Sequence, residues 1–304
     1  MAIQREIWQD HIEGNLFKNN EFLLASTDAG QYVLQGKVVH IPQAGAGANV
    51  EKNRSTVPAT VVKRDDNDVT YSLDEYTTDP ILIPGAEAME LSYNKRESVL
   101  YEYESSLRQV TADNLLQEWA PSLTANIIRT TGAAVSAHLP SATGNRKKFV
   151  VSDLKNAQLM MNKQNVPLED RYALISADML QQLTDGMDLT AYRDYSNTYD
   201  AKTGVLGMLY GFKIMMRSTV LRYSNAGTPA LLDIEDDAAA TDNDTVLCWQ
   251  VNSVERAVGQ ISFFEQLGHP QFYGDVYSLS VRLGGRKRRT DEKGIIAIVQ
   301  ASAA

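Results

Sequence analysis

Between Tyr93 and Pro121 the chain carries a helical pattern too long to hide inside a small domain. Val99, Tyr103, Leu107 and Val110 step by four, four and three, and Leu115, Leu116 and Trp119 carry the apolar side into the last turns. Pro121 stops the helix, since its ring clashes with the turn before it and it has no N–H to donate. The spacing predicts a helix over 92–119, about 40 Å long at ~1.5 Å per residue. Glu97, Glu102, Glu104, Arg108, Asp113 and Glu118 are expected on its other face. A helix with one apolar stripe must lay that stripe on a broad apolar surface, and a sheet is the natural one. An α+β fold built around this helix follows.

The segments before the helix do not read as self-contained folds. Ile3 and Ile7 mark a short helical face ending near Gly14, and Trp8, Phe17, Phe22 and Leu23 are apolar groups in a stretch too short to bury them. They must dock on the body of the chain or on a neighbour. Residues 36–83 read as a β-excursion. Lys37 to Ile41 is a strand stopped by Pro42, residues 43–49 are small and flexible, and Ala59 to Arg64 is a second strand. Asp65–Asp68 reads as a turn, and Val69, Tyr71 and Leu73 then alternate with polar residues in the period of a half-buried strand. Pro80 and Pro84 end the excursion. Two or three strands with a long polar tip are marginal alone.

Residues 122–225 read as a compact α/β region. Ser152 is the expected cap of a helix carrying Leu154, Ala157 and Met161, broken at Asn165-Val166-Pro167. Arg171 to Ile175 is a strand, and Ser176 caps a helix over Ala177 to Leu183. Asp188 to Thr203 reads as a polar, Tyr-rich loop, and Gly204 to Gly211 as a turn region before the strand Phe212 to Met216. Residues 235–244 form an expected acidic surface loop. Strands follow at 246–251, 258–264, 276–283 and 294–299.

No reaction chemistry is legible. The four histidines, His11, His40, His138 and His269, are scattered, with no metal-binding spacing. The single cysteine, Cys248, sits in an apolar strand pattern and reads as a buried thiol; alone it makes no internal disulfide. No phosphate loop, nucleophile elbow or triad is visible, and Gly45-Ala46-Gly47 is too weak a signal for a dinucleotide loop. The acidic stretch 233–244 lacks the spacing of a calcium loop. No catalytic, cofactor-binding or metal residue is therefore assigned. With 29 basic against 38 acidic residues, a net charge of −9, a general nucleic-acid binder is not expected. The one basic cluster is Arg282, Arg286, Lys287, Arg288, Arg289 and Lys293, between two predicted strands. It reads as a solvated turn, a partner for a neighbour's carboxylates or a DNA contact. Residues 1–8 show no apolar signal core, and no run reaches the ~20 residues of a membrane helix. A soluble protein that works by assembling is the reading that remains.

The order of these parts resembles the tailed-bacteriophage major capsid protein of the Hong Kong phage (HK) type. The start of the spine helix, Tyr93-Asn94-Lys95-Arg96-Glu97-Ser98-Val99-Leu100, is similar to that family. So are Asn165-Val166-Pro167-Leu168-Glu169-Asp170-Arg171-Tyr172 and the glycine-punctuated Gly204 to Ile214. Ala257-Val258-Gly259-Gln260 and Gly294-Ile295-Ile296 resemble its last ribbons. The resemblance implies an N-terminal arm (1–35), an extended β-loop (36–85) and a peripheral domain with the spine helix (86–121 and about 258–283). It implies an axial domain over 122–257 and 284–304. It further implies hexamers and pentamers closing an icosahedral shell around double-stranded DNA, without sequence-specific binding, in the virion after assembly in the bacterial cytoplasm. A portal protein, a separate scaffolding protein and a decoration or cement protein are the expected partners, with no membrane and no cofactor. Only about 35 residues precede the extended loop, so the type member's long scaffolding segment is not expected here. Candidate inter-subunit contacts are Trp8, Phe17 and Phe22 of the arm, Lys52, Arg54, Lys63 and Arg64 of the loop, and Arg286, Arg288 and Arg289 of the basic cluster. Two other readings stay open: an encapsulin-like nanocompartment shell, and a metal-dependent hydrolase using the acidic loop.

Overall fold

The computed structural model describes residues 20–34, 37–43, 52–55, 57, 58, 61, 67–84, 95–200 and 202–303. The expected helix of the first 14 residues, the strand Ala59 to Arg64, and Trp8, Phe17, Lys63 and Arg64 lie outside these residues, Val61 excepted.

The strands are, in order, β1 (Thr27–Asp28), β2 (Val33–Leu34), β3 (Val38–Gln43), β4 (Asn67–Ser72), β5 (Asp74–Thr77) and β6 (Ile81–Pro84). Helix α1 (Lys95–Trp119) comes next, then β7 (Ile127–Arg129), β8 (Ala134–Ser136) and β9 (Asn145–Lys147). Helix α2 (Val151–Lys163), β10 (Arg171–Ser176), α3 (Ala177–Asp185), α4 (Leu189–Ser196), β11 (Val205–Leu209) and β12 (Phe212–Arg217) follow. The chain closes with β13 (Leu221–Tyr223), β14 (Asn243–Gln250), β15 (Val254–His269), β16 (Gly274–Lys287), β17 (Ile295–Val299) and β18 (Ser302–Ala303).

A seven-stranded sheet in the order β11-β12-β10-β14-β17-β7, with β13 beside β14, forms the centre. Its inner strands are apolar on both faces, as sheets covered on both sides are. Ala173, Ile175, Val246, Cys248, Ile296 and Ile298 face one cluster, where Leu154, Ala157 and Met161 of α2 and Met179 and Leu183 of α3 cover them. The alternate residues Leu174, Leu247, Trp249, Ile295, Ala297 and Val299 face the other. There they meet Leu107, Ala112, Leu115, Leu116 and Trp119 of α1 and the ribbon residues Phe263, Tyr277, Leu279, Val281 and Leu283. The spine helix thus lies between two sheets. The second is β1-β15-β16-β5, with β6 also on β16. Its long hairpin, β15 with β16, holds register from Val254↔Lys287 to His269↔Gly274. A three-stranded sheet, β2-β3-β4, buries Val39 beside Leu73, Ala29 and Ala257.

Several expectations need correction. Val110 is 48% exposed. At 100° per residue it falls about 60° outside the arc of buried α1 residues, which runs through Leu107, Thr111, Leu115 and Trp119. Glu104 and Arg108, expected in solvent, lie inside that arc and are buried; Asn20 donates to the Arg108 carbonyl there. The strand expected to stop at Pro42 runs on to Gln43. β2 reaches only Val38 and Val39, so Pro42 pairs on one side, opposite Asp68, where a missing N–H is tolerated. Asn67 and Asp68 belong to that ladder, not to a turn, and a strand, β6, lies between Pro80 and Pro84. Helix α2 starts at Val151, not after Ser152, and Asp153 reaches back to accept the Val150 N–H at 3.1 Å. Within the expected Tyr-rich loop the structure has α4, opened by Asp188, whose carboxylate accepts the Leu189 N–H. The expected turn over 204–211 is a strand, β11, and a tight return to β12. The cap at Ser176, the strand at 171–176 and the helix end at Asn165 stand where the sequence puts them.

Candidate functional site

The groups most able to do chemistry are held in structural bonds. Ser176, Asp244 and His138 are adjacent, which is the residue set of a hydrolase triad. The order is wrong for one, because a triad needs imidazole against the nucleophile's hydroxyl. Here Asp244 stands in the middle: Ser176 Oγ donates to Asp244 Oδ2, and His138 Nε2 lies 2.8 Å from the same oxygen. Ser176 also accepts the Met179 N–H as the cap of α3, and both Ser176 and Asp244 are buried. Burial works against a charged His138 ring, but the hydrogen bond and charge of Asp244, with Asp178 behind them, hold its pKa above the ordinary value. Cys248 is fully buried in β14 and burial pushes its thiol pKa far up, so it is no nucleophile. Among the described residues no three His, Cys, Asp or Glu side chains are placed to hold a metal ion. Among them, too, no helix is long and apolar enough to cross a membrane.

The acidic stretch is only partly a surface loop. Asp242, Asn243 and Asp244 are buried, the last two as the start of β14. Two arginines staple the rest. Arg222 donates to the carbonyls of Asp233, Ile234 and Asp236 and to the Asp242 carboxylate. Arg146 donates to the carbonyls of Ala240 and Asp242. Glu235, Asp236 and Asp237 remain exposed.

The basic cluster is built rather than loose. Arg286 and Lys287 are the last residues of β16. Arg286 pairs with the buried carboxylate of Glu255 and lies over the Tyr71 ring, and Arg288 approaches Glu255 at 3.4 Å. Lys287 pairs with Glu292 at 2.7 Å. Glu292 also accepts the N–H groups of Ser122 and Leu123 and the Ser122 hydroxyl. Burial alone raises its pKa, but Lys287, Leu123 and Ser122 outweigh it and bring the value down to about 2. Arg289 makes a two-pronged pair with Asp291, which Lys293 shares at 3.4 Å.

Of the candidate contacts, Phe22 needs correction. It is 3% exposed, packed in its own chain's core with Arg217 over its ring, so it offers no face to a neighbour. Its segment is tied down further: Trp249 Nε1 donates to the Ala25 carbonyl at 2.7 Å, and Arg256 to the carbonyls of Leu23 and Ser26. Lys52 and Arg54 are exposed, as are Val57 and Val61 beyond them. The structure does not bring the loop basics and the basic cluster together in any common ion pair among the described residues.

One surface escaped the sequence reading. At the far end of the β15–β16 hairpin, Phe264, Leu267, Phe272 and Tyr273 are 42–85% exposed within ten residues. Four large apolar groups at a protruding tip are costly in water unless something covers them. Their signal in the sequence was Phe272-Tyr273 beside Gly274, just before an alternating strand.

A family model described as phage capsid protein matches residues 17–301. No curated protein matches the chain. Among solved structures it is similar to the capsid of Ralstonia phage GP4, with 12% identity, 92% of this chain and 88% of that one covered, and a TM-score of 0.68. It is similar to the capsid structure of cyanophage P-SCSP1u, with 18% identity, coverage of 92% and 86%, and a TM-score of 0.60. The cyanophage Pam1 capsid matches at 8% identity, coverage of 92% and 88%, and a TM-score of 0.61. At such identities the likeness is one of fold.

Proposed function

We propose, from the premise that this chain belongs to the phage capsid protein family, that its copies close as hexamers and pentamers into the icosahedral head of a tailed bacteriophage around double-stranded DNA. Membership of the family makes it a structural protein of the virion and not an enzyme. The hydrolase reading falls with it, and the acidic stretch has the structural role described above. The observation that carries the proposal is the family match over 17–301, joined to a fold similar to solved phage capsids.

The division of labour follows the elements. Residues 1–35 act as the arm, although Phe22, Leu23, Ala25 and Ala29 within them are buried in the chain's own core. Residues 36–85, with β3 and β4, act as the extended loop that lies on an adjacent copy. There Lys52 and Arg54 meet carboxylates, with the acidic side of a neighbour's spine helix as one candidate partner. The spine helix with the β15–β16 ribbon (86–121 and about 258–283) acts as the peripheral domain, its ribbon lengthened by the observed pairing from Val254 to Lys287. The central sheet with α2, α3 and α4 (122–257 and 284–304) acts as the axial domain. The exposed hairpin tip is a further contact between copies. A portal protein, a separate scaffolding protein and a decoration or cement protein complete the particle.

Electron microscopy of the purified chain, with light-scattering mass, tests this. Closed shells or rings of five and six copies are the expected result. Shells filled with host protein in place of DNA would transfer the proposal to a nanocompartment. A chain that stays monomeric at high concentration, with candidate scaffold co-expressed, would overturn it.

A further inference from the structure

The basic turn and the acidic loop are both exposed and opposite in charge, and among the described residues no ion pair joins them within one copy. The turn borders a groove of about 640 Å³ lined by Glu118 and residues 286–292. Beneath it, Glu255 and Glu292 are buried and neutralise Arg286 and Lys287. The outward groups are Arg288, Arg289 and Lys293, with side chains 38, 59 and 48% exposed. Asp291 and Glu118 answer part of this charge. The four bonds that Glu292 makes to Ser122 and Leu123 anchor the turn, so these cations project from a fixed base.

The acidic loop is the mirror case. Its staples, Arg222 and Arg146, give most of their donors to backbone carbonyls, not to the outward carboxylates. Glu235, Asp236 and Asp237 are exposed, and the Asp236 carboxylate accepts the Asp233 N–H at 3.1 Å.

We propose that the turn carrying Arg288, Arg289 and Lys293 on one copy receives the loop 235–237 of a second copy. This rests on the assembly reading above and adds to it the pair of surfaces that meet. A second copy fits because it carries an exposed acidic loop of opposite charge to the turn's outward cations. Repeated head to tail, such a contact is heterologous and closes rings or runs on as filaments; made twice across a two-fold axis, it is isologous.

The test uses the full-length protein under assembling conditions, with half of the copies isotopically labelled. A carbodiimide that joins an amine to a carboxylate is applied, and linked peptides are read by mass spectrometry. Mixed-isotope links between Lys293 and Glu235, Asp236 or Asp237 are expected. Charge reversal gives the second arm. Arg289→Glu with Lys293→Glu is chosen because, among the described residues of their own chain, these two pair only with Asp291. The pair should raise the concentration needed for assembly about tenfold, and so should Asp236→Lys with Asp237→Lys. All four together should return it to within about threefold of the parent. Links confined to single copies, or four changes no better than two, overturn the proposal. So does loss of salt-sensitive DNA binding in the Arg289/Lys293 variant with assembly intact, since the turn would then serve phosphate. If the parent forms no oligomer at all, the assembly reading itself fails; oligomers without the Lys293 link defeat only the pairing of these surfaces.

Discussion

Glu292 shows how one carboxylate can organise a junction. It sits in a loop five residues after Lys287, and its two oxygens take the chain where it leaves α1. Its pKa lies near 2 in the fold against about 4.5 unfolded. A depressed acid pKa contributes stability that is complete above the unfolded value and fades as pH falls through the folded one. Glu292→Gln should therefore cost on the order of 2 kcal/mol at pH 7, and less as pH falls from about 4.5 toward 2. Thermal melts of both proteins across that range check it; parallel curves would remove the charge from the explanation. The same residue shows why sequence reading stopped short. Arg286 to Lys293 reads as a solvated turn that Asp291 and Glu292 partly neutralise, because its other acid partner, Glu255, is 31 residues away from Arg286. Asp242 and Asp244 were placed on the surface for a similar reason: the groups that justify their burial are Arg222, Ser176 and His138.

At the scale of elements, the decisive contact is the crossing of α1 over the ribbon. Gly285 of β16 permits it. A Cβ there would lie 2.5 Å from Leu115 Cδ2 and 2.7 Å from the Glu255 carbonyl, with Trp119 Nε1 at 3.1 Å. That indole donates to the same carbonyl at 3.0 Å and its ring lies 5.9 Å from Trp249, so helix, ribbon and central sheet meet at one point. Gly285→Ala should lower stability by about 1–3 kcal/mol through overpacking, read as a lower urea midpoint; an unchanged midpoint would mean the crossing is loose. The ribbon's other end makes the opposite forecast. Phe272→Ser with Tyr273→Ser touches side chains that are 52 and 85% exposed, so monomer melting should move by less than ~2 °C. Assembly should need a severalfold higher concentration, measured by light scattering, and equal assembly would show the tip to be idle. Elements with a strong internal signal were legible: α1 by its period, α3 by its Ser176 cap, β10 and β17 by continuous apolar runs. Helix α4 was not, because Tyr195 is its one buried side chain and the rest of its surface is polar or exposed. The last five residues of β15, Glu265 to His269, were hidden likewise, being exposed or half-buried and so lacking a clean alternation.

Across the whole molecule, one apolar cluster runs from Phe22 through α1 and the central sheet to the ribbon, with separate clusters on that sheet's other face and around Val39 of β3. The order of parts was therefore readable even where single boundaries were not: a spine helix, a buried sheet and a returning ribbon can be packed together in few ways. Charge is the other property that belongs to the whole. Each copy carries −9, and within the basic turn the buried acids already neutralise Arg286 and Lys287. If Arg288, Arg289 and Lys293 are then occupied by a neighbour's acidic loop, assembly removes the clearest site at which a phosphate backbone would bind. Protein–DNA adhesion depends on cations displacing the counterions of DNA, and its strength falls steeply with salt in proportion to the phosphates contacted. A shell of this protein should accordingly hold duplex DNA by enclosure and not by its wall. Empty shells titrated with fluorescent duplex at about 50 and 200 mM salt should show weak binding at both, with a slope corresponding to fewer than about two phosphates per copy. Tight binding that collapses over the same salt range would show that the positive charge faces the interior, against both the charge balance and the proposed occupancy of the turn.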